Sequence, residues 1–274
     1  MIARVFPRQT ALSPTDDDAY FGPPEVGTPH YSEAHISVTF TWDVYRGYEL
    51  AEAWKTHADK VIVGGVAVDG ESLEPFAPGK YLQYGVTITT RGCPNKCSFC
   101  LTNKTFIEFE DFPTGNIVQD NNILASSPAH WRRVTDMLKT QHKIRFTGGL
   151  EAARLNDSHI DDLRNLKITE LWFACDAANA LKPLEKIAPK IACFRSKLRC
   201  YVLVGKNRSE ENERLRKVWR LGFYPFAQLY RDREDSITYT QEDRQWARVW
   251  SRPAIYKAVL KREGLYEAKR RTYR

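Results

Sequence analysis

The chain has 274 residues, near the upper limit for one hydrophobic core and too short for two full enzyme domains. Hydrophobic residues make up 42% and charged residues 27%, which excludes a disordered chain, a collagen-like chain and a membrane bundle. The formal net charge is +7, and the excess sits in Arg244–Arg274, where ten Lys/Arg face two Glu. Such a tail suits either a polyanion or a solvated helix that caps the fold. Apolar runs fall short of a bilayer span and Met1-Ile-Ala-Arg has no signal-peptide flank, so the sequence reads as a soluble, cytoplasmic protein with no membrane partner. Six cysteines are too few for a secreted disulfide fold.

A short strand is expected at Arg4-Val-Phe, followed by irregular structure to about residue 35, rich in Pro, Asp and Thr. Ala34-His-Ile-Ser-Val-Thr-Phe has β-branched residues at alternating positions and predicts a strand. Tyr45–His57 has helical spacing, with Leu50, Ala51 and Trp54 on one face, and Val61-Ile-Val-Gly-Gly predicts a buried parallel strand. Together they form a βαβ unit. Beyond residue 80, strands are expected at Gln83–Thr89, Asn116–Val118, Lys143–Phe146, Glu170–Ala174, Arg199–Val204 and Tyr224–Leu229. Helical patterns lie between them around Ala129–Thr140, Asp157–Asn165, Leu181–Ile187 and Glu210–Trp219, with Pro128 and Ser158 at expected helix starts. Six strands alternating with helices predict an α/β fold with a parallel sheet, curved or closed like part of a (β/α) barrel. In that architecture chemistry gathers at the carboxyl ends of the strands.

After the first of these strands stands Arg91-Gly-Cys93-Pro-Asn-Lys-Cys97-Ser-Phe-Cys100, with C-x3-C-x2-C spacing. Three thiolates on a short loop can hold three corners of a cubane iron–sulfur cluster and leave the fourth iron open. A structural zinc site would want four protein ligands, and the nearest downstream candidates are His130 and Cys175. Free buried thiols are the third reading of the triplet.

The stretch Thr90-Arg-Gly-Cys-Pro-Asn-Lys-Cys-Ser-Phe-Cys resembles the cluster motif of the radical S-adenosylmethionine (radical SAM) superfamily. The resemblance implies a 4Fe-4S cluster on Cys93, Cys97 and Cys100, whose open iron chelates S-adenosylmethionine, with Phe99 packing near the adenine. It is closest to the branch that carries a cobalamin-binding domain ahead of the barrel. By that resemblance Asp120, Asn121 and Asn122 reach the methionine end of the cofactor, Glu151 and Asp176 reach the ribose, and the strand around Leu203 meets the adenine. The implied fold is a partial (β/α)6 barrel over residues 81–233, preceded by a small α/β unit (1–80) and followed by a basic helical extension (234–274). The N-terminal unit resembles a shortened cobalamin domain but lacks its histidine loop, with His30 and His35 in other contexts, so no cobalamin is expected.

Three departures from the branch stand out. Cys100 to Asn116 is too short for the usual first barrel helix and reads as an extended segment. Asp120-Asn-Asn replaces the usual Gly-Glu-type turn, and Lys206-Asn-Arg-Ser replaces a Pro-Gly turn. Cys175, Cys193 and Cys200 are too scattered for an auxiliary cluster and read as buried small residues.

The chemistry implied is reductive cleavage of S-adenosylmethionine to a 5′-deoxyadenosyl radical that abstracts hydrogen, fed by a low-potential electron donor such as flavodoxin or ferredoxin. Glu108, Glu110, Arg231 and Asp232 would line the substrate side, and no catalytic hydrogen donor is identified. Short chains of this type resemble phage-encoded radical SAM proteins, which can take part in DNA base hypermodification. That, with the basic tail, points to a nucleobase, nucleotide or nucleic acid substrate. A small metabolite or peptide substrate, and a non-catalytic zinc-containing nucleic-acid-binding module, stay open as alternatives.

Overall fold

The computed structural model describes residues 1–68, 79–102, 105–232, 234 and 236–264. The chain divides into two packed units, residues 1–86 with 231–237, and residues 87–230 with 238 onward.

In the first unit, β1 (Ile2–Phe6), β2 (Ala19–Phe21), β3 (Tyr31–Ser37) and β4 (Ala58–Gly64) form an all-parallel sheet in the order β2-β1-β3-β4. Helix α1 (Val44–Trp54) connects β3 to β4, as its spacing predicts. Its Leu50, Ala51 and Trp54 are buried with Val5, Ile36 and Val38 of the sheet side. Each of the larger aliphatic side chains among them contributes about 1.5–3 kcal/mol by leaving water. The Trp54 indole donates to the Gly22 carbonyl at 3.1 Å, which satisfies its N–H inside the core. Strand β2 lies within the stretch that reads as irregular. Three residues carry no alternation, and β2 is fixed instead by its pairing with β1.

The second unit contains β5 (Val86–Thr87), β6 (Thr90–Arg91), β7 (Ile107–Glu108), β8 (Ile117–Val118), α2 (Pro128–Lys139), β9 (Ile144–Leu150), α3 (Asp157–Arg164) and β10 (Ile168–Ala174). It continues with α4 (Leu181–Ile187), β11 (Leu198–Val204), α5 (Arg208–Arg220), β12 (Tyr224–Leu229), α6 (Gln241–Trp250) and α7 (Pro253–Arg262). The main sheet has the order β12-β11-β10-β9-β8-β5, and β8 through β12 pair in parallel. Helices α2, α3, α4 and α5 fill the successive connections, so the strand–helix rhythm of the sequence is that of a mixed α/β fold with a parallel sheet. Helix α2 starts at Pro128 behind a Ser127 cap. Helix α3 is capped by Asn156, not Ser158, because the Asn156 side chain reaches the His159 N–H at 2.9 Å.

Side chains alternate across the sheet. Leu171, Phe173, Leu198, Val202 and Val204 are buried with Leu184, Ile187, Leu215 and Val218 of the helices. The opposite face carries half-buried Trp172, Tyr201 and Phe226; Trp172 stacks on Tyr201 at 4.5 Å and both meet Phe226 edge-on. Cys175 and Cys200 are buried core residues as expected, whereas Cys193 is exposed.

The C-terminal helices pack onto the second unit through their aromatic residues. Trp250 stacks on Tyr256, the Trp246 indole donates to Asn212 Oδ1 at 3.0 Å, and Ser251 Oγ donates to the Ala227 carbonyl. Arg244, Arg248 and Arg252 stay exposed on the other side. The Lys269-Arg-Arg cluster lies outside the described residues. No helix among the described residues is long and apolar enough to cross a membrane.

Candidate functional site

The cysteine loop leaves β6 at Gly92 and returns through β7, which pairs with β6 in an antiparallel ladder (Thr90 opposite Glu108, Arg91 opposite Ile107). The short interval after Cys100 therefore holds a returning strand, as its extended pattern suggests. Gly92 has φ +82°, a backbone state that disfavours any residue with a Cβ. Its N–H donates to Asn121 Oδ1 at 3.0 Å, tying the start of the loop to the turn after β8. Cys93 and Cys100 are half-buried and Cys97 is exposed; Phe99 is half-buried between them.

The turn Asp120-Asn121-Asn122 organises the loop from below. Asp120 is 3% exposed, and its carboxylate accepts from the Thr89 N–H (2.6 Å), the Thr90 N–H (2.7 Å) and the Thr89 hydroxyl (2.7 Å). Burial pushes the Asp120 carboxyl up to about 6, against the pull of the Thr90 and Thr89 hydrogen bonds. Hydrogen bonds to a charged group contribute roughly 1.5–3 kcal/mol each, so three of them hold a buried carboxylate in place. The expected strand Gln83–Thr89 is shortened to β5 at Val86–Thr87; the Thr89 N–H goes to Asp120, and β6 begins only at Thr90.

A relay reaches this carboxylate from behind. Buried His130 bonds Thr89 Oγ1 through Nε2 at 3.1 Å, and its Nδ1 accepts from Arg133 at 2.9 Å. Burial lowers the His130 pKa, which favours the neutral ring that this pattern requires. His130 is thus bound into a support for Asp120, and Cys175 sits in the helix-facing core; neither stands with the cysteine loop.

Asn122 makes the contact nearest to the candidate ligands. It is 3% exposed, and its Nδ2 donates to Glu151 Oε2 at 2.7 Å and to Cys93 Sγ at 3.4 Å. Glu151 Oε2 also accepts from Arg154 Nε at 2.7 Å, and Arg154 reaches Asn95 Oδ1 at 3.5 Å. This chain begins at Cys93 and returns to the same loop two residues later. Among the described residues the buried Asn122 Oδ1 has no hydrogen-bond partner. An orphaned buried acceptor costs about 1–3 kcal/mol and marks a place where a donor from a bound molecule fits.

Glycine makes the approach possible. A Cβ on Gly148 would lie 1.9 Å from the Asp120 carbonyl oxygen, so only glycine lets β9 pass under the turn. Further along the sheet, Asp176 follows β10 and accepts from the Leu203 N–H at 3.0 Å. Burial raises its carboxyl to about 6, and Arg214 opposes the rise after that hydrogen bond. Leu203 in turn offers its carbonyl to Arg214. Glu211, 4% exposed, accepts from the N–H groups of Gly205, Lys206 and Asn207, which shapes the turn after β11 without proline. Glu108 is held by the Ser127 N–H and hydroxyl at the start of α2.

Among the described residues no three His, Cys, Asp or Glu side chains converge as ligands of a single ion would. A cubane cluster does not require such convergence, because each thiolate binds a different iron. The donor set fits a cluster by its chemistry: three sulfur ligands within eight residues, on a glycine-started loop, with an amide N–H already directed at one sulfur. No family model, curated protein or solved structure matches the chain.

The motif residues Cys93, Cys97 and Cys100 share one loop, and Asn121 and Asn122 hold it. Asp120 acts through Thr89 and Thr90, and Asp176 pairs with Leu203, further along the sheet. Sequence reasoning missed Thr89, Asn95, Gly148 and Arg154. The Gly148-Gly149 pair inside an otherwise regular strand pattern is the one signal that could have flagged a close approach.

Proposed function

We propose that this chain is a radical SAM enzyme built on a partial (β/α)6 barrel, with a 4Fe-4S cluster at Cys93, Cys97 and Cys100. One observation carries the reading. Asn121, Asn122, Glu151 and Asp176 follow the carboxyl ends of β8, β9 and β10, which pair in parallel so that their ends share one edge, and the cysteine loop is hydrogen-bonded to that edge through Gly92 to Asn121 and through Cys93 to Asn122.

Bound there, the cluster supplies the electron for reductive cleavage of S-adenosylmethionine. Asn122 fixes Cys93 through Nδ2 and offers Oδ1 to an amino N–H of the cofactor's methionine end. Glu151 takes both of its bonds on Oε2 and presents Oε1 to a ribose hydroxyl. Phe99, between the second and third cysteines in the sequence, would cover the adenine, and the Leu203 backbone, which Asp176 holds, would meet it. Tyr201, whose pKa burial pushes up to about 12, stays a neutral phenol and donates to the Thr147 carbonyl at 3.1 Å, so its O–H is engaged. With Trp172 and Phe226 it forms an aromatic wall that excludes water from the inner face. A low-potential donor, flavodoxin or ferredoxin, would serve this chemistry in the cytoplasm. Iron and acid-labile sulfide in anaerobically prepared protein test the cluster; stoichiometric zinc in their place contradicts it.

The substrate class we propose is a nucleobase, nucleotide or DNA, with phosphates on the exposed Arg244 and Arg248 of α6 and Arg252 of the following turn. Each phosphate left without its arginine lowers the salt slope of binding by about 0.7–0.9, so alanine at all three should lower it by about two to three. The measurement is DNA affinity against salt concentration for wild type and the triple variant. Equal slopes would leave the stripe a solvated face and favour a small-molecule substrate.

A further inference from the structure

We infer a second nucleic-acid contact in the first unit, where single-stranded bases stack on an aromatic platform. Its core lies just past the carboxyl end of β3. Phe40 and Trp42 stack with ring centroids 4.7 Å apart and planes 14° off parallel. The Arg231 guanidinium lies over Trp42 at 4.5 Å, and Arg8 lies 5.9 Å from the Phe40 ring and 6.0 Å from Trp42. Trp42 is 38% exposed, and the next turns of chain add Tyr45 at 78% and Tyr48 at 51%. Four aromatic residues within nine positions, three of them exposed, are not core packing. Surface aromatics of this density are costly unless something covers them.

The chemistry of the patch selects the occupant. Aromatic rings and guanidinium planes are the two surfaces on which unpaired bases stack, and every base has a π-face to offer. The cations are already positioned: Arg8 is clamped by buried Asp43 through two bonds, and Arg231 lies on Trp42. A ligand therefore has few long side chains to order. The pairing of Arg8 with Asp43 cancels one positive charge, so this contact is dominated by stacking and not by phosphate neutralisation. That separates it from the exposed arginines of α6 and of the turn into α7, whose contribution depends steeply on salt. The inference rests on the nucleic-acid part of the proposed function and is independent of the cluster.

The test is fluorescence-anisotropy titration of a labelled mixed-sequence single-stranded oligonucleotide at low and high salt. Trp42→Ala and the pair Tyr45→Ser with Tyr48→Ser should each weaken binding by about five- to hundredfold, by nearly the same factor at both salts. The tyrosine pair guards against misfolding of Trp42→Ala, because those rings stand mostly in water. Tyr84→Ala, a fully exposed tyrosine outside the patch, should bind as wild type. Three results would overturn the inference: no single-strand binding by the wild type, unchanged affinity in the tyrosine pair, or a dimer that the tyrosine pair abolishes, which would make the patch a self-association face. Iron content measured on the same preparations separates the two ideas. Strand binding without iron removes the radical chemistry and keeps the platform; iron without strand binding does the reverse.

Discussion

Replacing Cys93, Cys97 and Cys100 together by alanine should remove essentially all iron from anaerobically prepared protein, whereas the wild type should hold about four irons per chain. Alanine at Cys175, Cys193 and Cys200 should leave that iron in place. The physical difference lies in the surroundings. The first three thiols stand half-buried or exposed on a glycine-started loop with an amide donor at Cys93. Cys175 and Cys200 lie in the apolar core, where burial raises the Cys175 thiol to about 12 and the Cys200 thiol well above its ordinary value. A thiol held protonated is a poor metal ligand. Cys193 is exposed, and the cysteine nearest to it in the sequence, Cys200, is buried in the core. Iron retained in the first triple variant, or absent from the second, would move the cluster off this loop.

The largest effect on stability is expected at Gly148. Alanine there would put a carbon 1.9 Å from the Asp120 carbonyl oxygen, and backbone cannot swing aside as a flexible side chain can. Gly148 does not have a positive φ, so the cost comes from the clash and not from strained dihedrals. Relief requires β9 and the Asp120 turn to separate, which endangers the bonds from Asp120 to Thr89 and Thr90 and from Asn122 to Glu151. A destabilisation of about 3 kcal/mol is expected, at the upper end of what overpacking costs. Urea unfolding should show a lower midpoint with little change in slope. Gly27→Ala, at an open position with φ +93°, measures the backbone cost alone and should lose less. Equal stability of Gly148→Ala and wild type would mean that the turn does not lie over β9.

The sequence was most informative where a side-chain pattern by itself dictates structure. The strands β10 and β11, the helical spacing of α1 and the proline at the start of α2 appear at or near the expected positions, while β3 starts three residues early and is buried on both faces over Ala34–Ser37. It was least informative where a distant partner decides. Thr89 looks like a strand residue, yet the Asp120 carboxylate takes its N–H, and β5 ends at Thr87. Asn156 outcompetes Ser158 as a cap because its amide oxygen meets the N–H three residues on, a choice between two good candidates that spacing does not resolve. In the candidate site the cysteines announce themselves by spacing. The ring from Cys93 through Asn122, Glu151 and Arg154 to Asn95 joins residues from three separate connections. No local pattern encodes such a ring, since each link depends on how β6, β8 and β9 are brought together.

The tail shows the same division. Trp250 is buried and anchors the tail, while the use of its exposed arginines depends on a partner.

The central claim is that Cys93, Cys97 and Cys100 carry a cluster that cleaves S-adenosylmethionine, and the most direct measurement is the deoxyadenosine formed when anaerobic, chemically reduced protein is incubated with that cofactor. The account predicts deoxyadenosine and methionine from the wild type and none from the Cys93, Cys97, Cys100 alanine variant. Iron-loaded wild-type protein that forms no deoxyadenosine, or a triple variant that forms as much as the wild type, would contradict it.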